Sequence, residues 1–254
     1  MSRIPIVAGN WKMNTDSETA LGLVGAIRDG GADSLEGVEK VVCPPYPFLS
    51  LVANACKGSS LKVGAQNMHW EEKGAFTGEV SPAMLKGLVD YVIIGHSERR
   101  QLFCETDETV NKKLTAAIGA GLTPIVCVGE TGAQRQAGET ESVLRRQVKG
   151  AFGGSGAPQT TVIAYEPVWA IGTGVAATPI DAQKAIAFIR AELSLIVGRG
   201  IADEVRILYG GSVTPDNIAD YVGQADVDGG LVGGASLVAA SFVAMVGKVA
   251  ALGG

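Results

Sequence analysis

Five chemically capable side chains stand just past β-branched or apolar runs that read as buried strands. Asn10 and Lys12 follow Ile4-Pro5-Ile6-Val7-Ala8. His96 follows Tyr91-Val92-Ile93-Ile94, Glu166 follows Thr161-Val162-Ile163-Ala164, and Ser212 follows Val205-Arg206-Ile207-Leu208-Tyr209. A carboxylate at a strand end sits at a rim, where its charge is tolerable; mid-core it would be very costly. Pro167 stops the ladder directly after Glu166 and holds that residue extended. Val168 to Ile171 are too apolar for an ordinary solvated loop, and Gly172 and Gly174 follow. The stretch reads either as a lid that excludes water above a base, or as a turn packed on a neighbour. Gly210-Gly211 and Gly233-Gly234 precede helix starts late in the chain, where backbone N–H groups can converge on a phosphate. A carboxylate base, a histidine, a lysine and a phosphate cradle suit proton abstraction beside the carbonyl of a small phosphorylated sugar. An apolar lid would make Glu166 the stronger base by desolvating it. If the segment after His96 is helical, its positive end favours a neutral imidazole that donates to a carbonyl oxygen. Singly, each residue also has a plain structural role: a solvated lysine, a capping histidine, glycine turns.

These groups meet only if the strands bring them to one place. Strand and helix patterns alternate eight times, at about 32 residues per unit, close to the minimum for a strand–helix–strand repeat. Expected strands lie near 4–8, 38–43, 61–65, 91–95, 124–128, 161–164, 205–209 and 231–232, with helices between them; Gln66 to Val80 shows no period. Strict alternation implies parallel strands covered on both faces. Eight units in 254 residues favour one α/β domain spanning 1–254, a closed (β/α)8 barrel whose chemistry lies at the C-terminal ends of the strands. An open doubly wound sheet is the alternative, but Gly-Asn-Trp-Lys stands where its glycine fingerprint belongs.

Composition narrows the function classes. With 21 basic and 26 acidic residues the net charge is −5, which does not suit a nucleic-acid binder. The four cysteines are dispersed and there are two histidines, so neither a zinc site nor another metal or cofactor is expected. Reduced thiols and the lack of a secretory pattern point to the cytoplasm. The uncharged run from Gly229 to Gly247 reads as a buried strand and helix, not a membrane span.

The chain resembles the triosephosphate isomerase family along its whole length. The motifs are Gly9-Asn10-Trp11-Lys12-Met13-Asn14, Ala65-Gln66-Asn67, Gly74-Ala75-Phe76-Thr77-Gly78-Glu79, Ile94-Gly95-His96-Ser97-Glu98-Arg99-Arg100, Pro124-Ile125-Val126-Cys127-Val128-Gly129-Glu130, Ala164-Tyr165-Glu166-Pro167-Val168-Trp169, Tyr209-Gly210-Gly211-Ser212-Val213 and Leu231-Val232-Gly233-Gly234. The resemblance implies a single-domain TIM barrel that interconverts dihydroxyacetone phosphate and glyceraldehyde 3-phosphate without a cofactor. In it Glu166 would move the proton, and neutral His96 would polarise the oxygens. Lys12 and Asn10 would hold the substrate, with Ser97, Glu98 and Cys127 in support. Backbone groups of Gly172, Ser212, Gly233 and Gly234 would hold the phosphate. A glutamate paired with a neutral histidine beneath a closing lid is that family's own established pattern, not a deduction from this sequence. The resemblance also implies a homodimer in which Thr77 approaches Asn10 and Glu98 of the other subunit. Val175, Gly230 and Cys104 depart from the family pattern. Rival readings are a non-catalytic phosphosugar-binding barrel, a Schiff-base aldolase acting through Lys12, and a structural scaffold.

Overall fold

A computed structural model describes residues 3–154, 160–171 and 176–252. Its eight strands are β1 (Ile6–Asn10), β2 (Glu39–Cys43), β3 (Leu61–Ala65), β4 (Tyr91–Ile94), β5 (Thr123–Val128), β6 (Val162–Tyr165), β7 (Arg206–Tyr209) and β8 (Gly229–Val232). All pairs are parallel, and β8 closes onto β1 with Ile6 opposite Gly229 and Gly9 opposite Val232. This is the closed (β/α)8 barrel expected from the alternation, and the open sheet is excluded.

The helices between the strands are α1 (Ser17–Asp29), α2 (Tyr46–Ala55), α3 (Pro82–Leu85), α4 (Ser97–Leu102), α5 (Asp107–Ala120), α6 (Gly132–Gln136), α7 (Thr140–Phe152), α8 (Pro179–Val197), α9 (Arg199–Glu204), α10 (Ile218–Val222) and α11 (Ala239–Ala250). Their starts follow the expected chemistry. Asp16 caps α1, Thr106 forms a capping box on α5, and Thr178 caps α8 ahead of Pro179. The apolar stripes turn inward: Ala182, Ile186, Ile189 and Leu193 of α8 are buried against the barrel wall. No described helix is long and apolar enough to cross a membrane, and Gly229 to Gly247 divides between β8 and α11. Two short helices, α6 and α9, were not expected from the sequence. Asn10, read as following its strand, is in fact the last residue of β1.

The two-residue period of a strand decides which side chains reach the mouth. Ile6 and Ala8, Val162 and Ala164, and Ile125 and Cys127 belong to the cluster that fills the barrel interior, while Val7, Ile163 and Val126 pack outward under the helices. Continuing the inward phase by two residues from Ala8 gives Asn10, and from Ala164 gives Glu166. The same phase runs from Leu231 to Gly233 and from Leu208 to Gly210. One register therefore both packs the core and delivers polar groups to the rim.

Cys104, which departs from the family pattern, is exposed and has φ +56°. A side chain in this left-handed region costs about 1–2 kcal/mol, and only glycine escapes that cost. Gly230 differs: a Cβ there would meet nothing closer than 3.6 Å, so the backbone leaves room for one. Replacing Cys104 with Gly relieves the strain and returns some of the gain as unfolded-state entropy. The expected net stabilisation is about 0.5–1 kcal/mol, a rise in Tm of ~1–4 °C. Thermal unfolding of C104G checks this, and a lowered Tm would contradict it.

Candidate active site

Glu166 stands one residue past β6 and is buried. Its Oε2 accepts from the backbone N–H of Ser97 at 2.8 Å, and its Oε1 lies 2.8 Å from His96 Nε2. Both partners belong to the N-terminal turn of α4. There His96 is the capping residue, and its Nδ1 accepts from the N–H of Glu98 at 3.3 Å. An accepting Nδ1 carries a lone pair, which places the ring proton on Nε2, aimed at Glu166.

The charge on His96 is contested. Burial pulls its pKa down, but the Glu166 carboxylate, its hydrogen bond and Glu98 outweigh burial, so the net direction is upward from the ordinary value. Reasoning from the helix terminus alone missed this carboxylate. Most of the upward push comes from Glu166; moving that carboxylate away leaves Glu98 alone against burial, Lys12 and the amide on Nδ1, all of which favour the neutral form. Cys127 lies beneath Glu166, and burial followed by that carboxylate raises its thiol well above its usual value, so it stays protonated.

Lys12 enters from the other side of the mouth. Its backbone is left-handed at φ +53°, an uncommon conformation for a residue with a side chain. Three contacts hold it. Its N–H donates to Asn10 Oδ1 at 3.0 Å, its carbonyl accepts from Gln66 Nε2 at 2.8 Å, and its Nζ meets Glu98 Oε1 at 2.5 Å. Lys12, Glu98, His96, Glu166 and Ser97 thus form one connected chain of polar contacts. Beside them is a cleft of about 430 Å³, lined by Asn10, Lys12, Glu166, Ser212, Gly233 and Gly234 among others. Gly172 lies outside the described residues, as does Val175. Thr77 is elsewhere, exposed on the loop between β3 and α3. That loop is locally ordered: His69 donates from its N–H to the Val80 carbonyl at 2.8 Å, and its ring packs against Trp70 and Phe76.

Several supporting residues escaped sequence reasoning. A Cβ on Gly129 would sit 1.7 Å from the Glu166 carbonyl oxygen, so only glycine lets the base's backbone pack here. Gln147 clamps Gly129, accepting from its N–H at 2.7 Å. Glu130, fully buried, accepts from Tyr165 Oη at 3.1 Å and from Trp169 Nε1 at 3.0 Å, which anchors the start of the apolar segment. Past that segment, Tyr209 Oη accepts from Ala177 N–H at 3.2 Å. Gly129-Glu130 and Tyr209 stood within noted motifs, but their partners come from other strands. For α6, Thr131 and Gln134 form a capping box that was readable in the sequence.

Among the described residues, no group of three or more His, Cys, Asp and Glu is arranged to hold a metal ion. A (β/α)8 barrel with a buried carboxylate–imidazole pair at its C-terminal mouth, beside a glycine-bordered cleft, belongs to the class of barrel enzymes that move protons on small phosphorylated substrates. A family model described as triosephosphate isomerase matches residues 5–249. Curated proteins named triosephosphate isomerase are similar along almost the whole chain. That of Moorella thermoacetica is 55% identical over 249 residues, covering 96% of this chain and 98% of its own. That of Carboxydothermus hydrogenoformans is 54% identical over 247 residues, covering 96% and 98%. That of Alkaliphilus oremlandii is 53% identical over 247 residues, covering 96% and 99%. This chain belongs to the triosephosphate isomerase family.

Proposed function

We propose that this protein interconverts dihydroxyacetone phosphate and D-glyceraldehyde 3-phosphate by proton transfer through an enediolate, the isomerase step of glycolysis and gluconeogenesis. The observation that carries the reading is the 2.8 Å contact between Glu166 and His96 at the edge of the cleft. In this reading the contact is a resting state. The substrate's phosphate occupies the end of the cleft near Ser212, Gly233 and Gly234, with Gly172 joining by family resemblance. Lys12 leaves Glu98 for the substrate, Asn10 holds the loop that carries it, and Glu166 leaves Ser97 and His96 for the carbon-bound hydrogen. His96 Nε2–H, freed from the carboxylate, donates to the carbonyl oxygen as it gains negative charge. Space for the swing comes from Gly210, where a Cβ would stand 3.1 Å from Glu166 Cγ. Closure of the Pro167 to Val175 segment excludes water, so the enediolate keeps its phosphate. A non-catalytic phosphosugar binder has no need of the buried carboxylate–imidazole pair.

Glu166→Gln keeps the shape and the Ser97 contact but removes the base. Turnover of either triose phosphate should fall by roughly 10²–10⁴-fold, the range for losing a general base, while a substrate analogue still binds. Near-normal turnover in a coupled assay would remove the assignment.

The reading includes a homodimer formed through the Thr77 loop, whose tip exposes Phe76, and a cytoplasmic location. Thr77→Arg places a charge in that contact and should weaken dimerisation and activity together. An intact, active dimer in sedimentation would count against it.

A further inference from the structure

The His96 ring and the Ser97 N–H sit on one tight bend between β4 and α4. Gly95 makes the bend with φ +69°. A Cβ there would stand 3.2 Å from Arg100 Nη2 and 2.7 Å from a Val110 methyl, so the bend is packed closely on the Arg100 side chain. The peptide groups on either side of His96 set where its ring points. The carbonyl after it, that of His96 itself, accepts from the N–H groups of Arg99 and Arg100 at 2.8 and 3.1 Å. Those are helical bonds that the backbone of other residues could supply. The carbonyl before it, that of Gly95, accepts from the Arg100 side chain, from Nε at 2.8 Å.

The same guanidinium reaches two further elements. Nη2 donates to the Cys127 carbonyl at 3.3 Å, one residue beyond Ile94–Val126, the last register pair of β4 and β5. Nη1 meets Asp107, the first residue of α5, at 2.6 Å. One planar fork thus ties β4, β5 and α5 together, a span that the single nitrogen of a lysine cannot reproduce. Arg146 of α7 stands on the outer side of Asp107, 3.2 Å away and 61% exposed. None of the Arg100 partners is a group that the proposed reaction moves. The clamp is therefore the same whether Glu166 rests on His96 or turns to the substrate.

We infer that Arg100 is a positioning residue for the isomerisation: by fixing the bend that carries the ring, it aims His96 Nε2–H at the substrate oxygen. Arg100 is not among the residues that line the substrate cleft, so it acts through His96 and not by contact. The inference rests on the proposed isomerase reaction.

The test is steady-state kinetics on folded variants. Arg100→Lys keeps the charge beside Asp107 but cannot hold both carbonyls as well. Its kcat should fall by roughly 10–10²-fold, the scale for a reacting group misplaced by a fraction of an ångström to about 1 Å, while KM and inhibition by inorganic phosphate stay near wild type. Arg146→Ala strips the outer arginine from Asp107 and should keep the wild-type kcat. Arg100→Ala enlarges a cavity of about 270 Å³ that the arginine lines. There guanidinium chloride, well below its unfolding range, should restore part of kcat, and methylammonium chloride should not; if that variant does not fold, Arg100→Lys decides alone. A wild-type kcat in folded Arg100→Lys, a loss carried wholly by KM, or equal rescue by the two cations would overturn the inference. An inactive wild-type protein would instead overturn the isomerase reading.

Discussion

Everything at the mouth of this barrel depends on holding one carboxylate in a place that is neither core nor solvent. Glu166 is buried, yet both of its oxygens are satisfied, one by the Ser97 amide and one by His96 Nε2. A carboxylate left there without partners would cost several kcal/mol. The two donors come from a helix turn on β4, while the carboxylate comes from β6. Only ring closure with correct register brings them together, and Gly129, the residue just past β5, is the spacer that lets the intervening strand end pass close to Glu166. Stability and chemistry are thus tied to the same two-residue period.

The resting contacts also set the energetics of binding. In the proposed reaction substrate replaces what the buried Glu166 gives up, about 1.5–3 kcal/mol for each charge-assisted hydrogen bond, and less for the part-exposed Lys12–Glu98 pair. Contacts at the phosphate end, remote from the reacting carbons, are the natural source of that energy. Trp169 is held to the barrel frame by Glu130, and Ala177 by Tyr209.

Much of this was legible in the sequence because it is local. β-branched runs gave the strands, capping residues gave the helix starts, and the positions of Glu166 and His96 just past strand ends followed directly. What escaped is what depends on neighbours distant in the chain. Gln66 on the Lys12 carbonyl, Gln147 on Gly129 and Glu130 on Trp169 are contacts between units, and no spacing rule reports them. The left-handed backbones of Lys12 and Cys104 are invisible because neither residue is a glycine. His96 is the sharpest case: its helix terminus could be read, but the carboxylate that opposes the terminus arrives only with the fold.

The central claim is that His96 works as a neutral donor through Nε2 once the carboxylate has left it for substrate. Nitrogen-15 NMR of the labelled imidazole, with a tightly bound enediolate analogue in the cleft, measures this directly. The account predicts a bare Nδ1 and a protonated Nε2 throughout the neutral pH range. A doubly protonated ring, or a proton on Nδ1 with Nε2 bare, would contradict it.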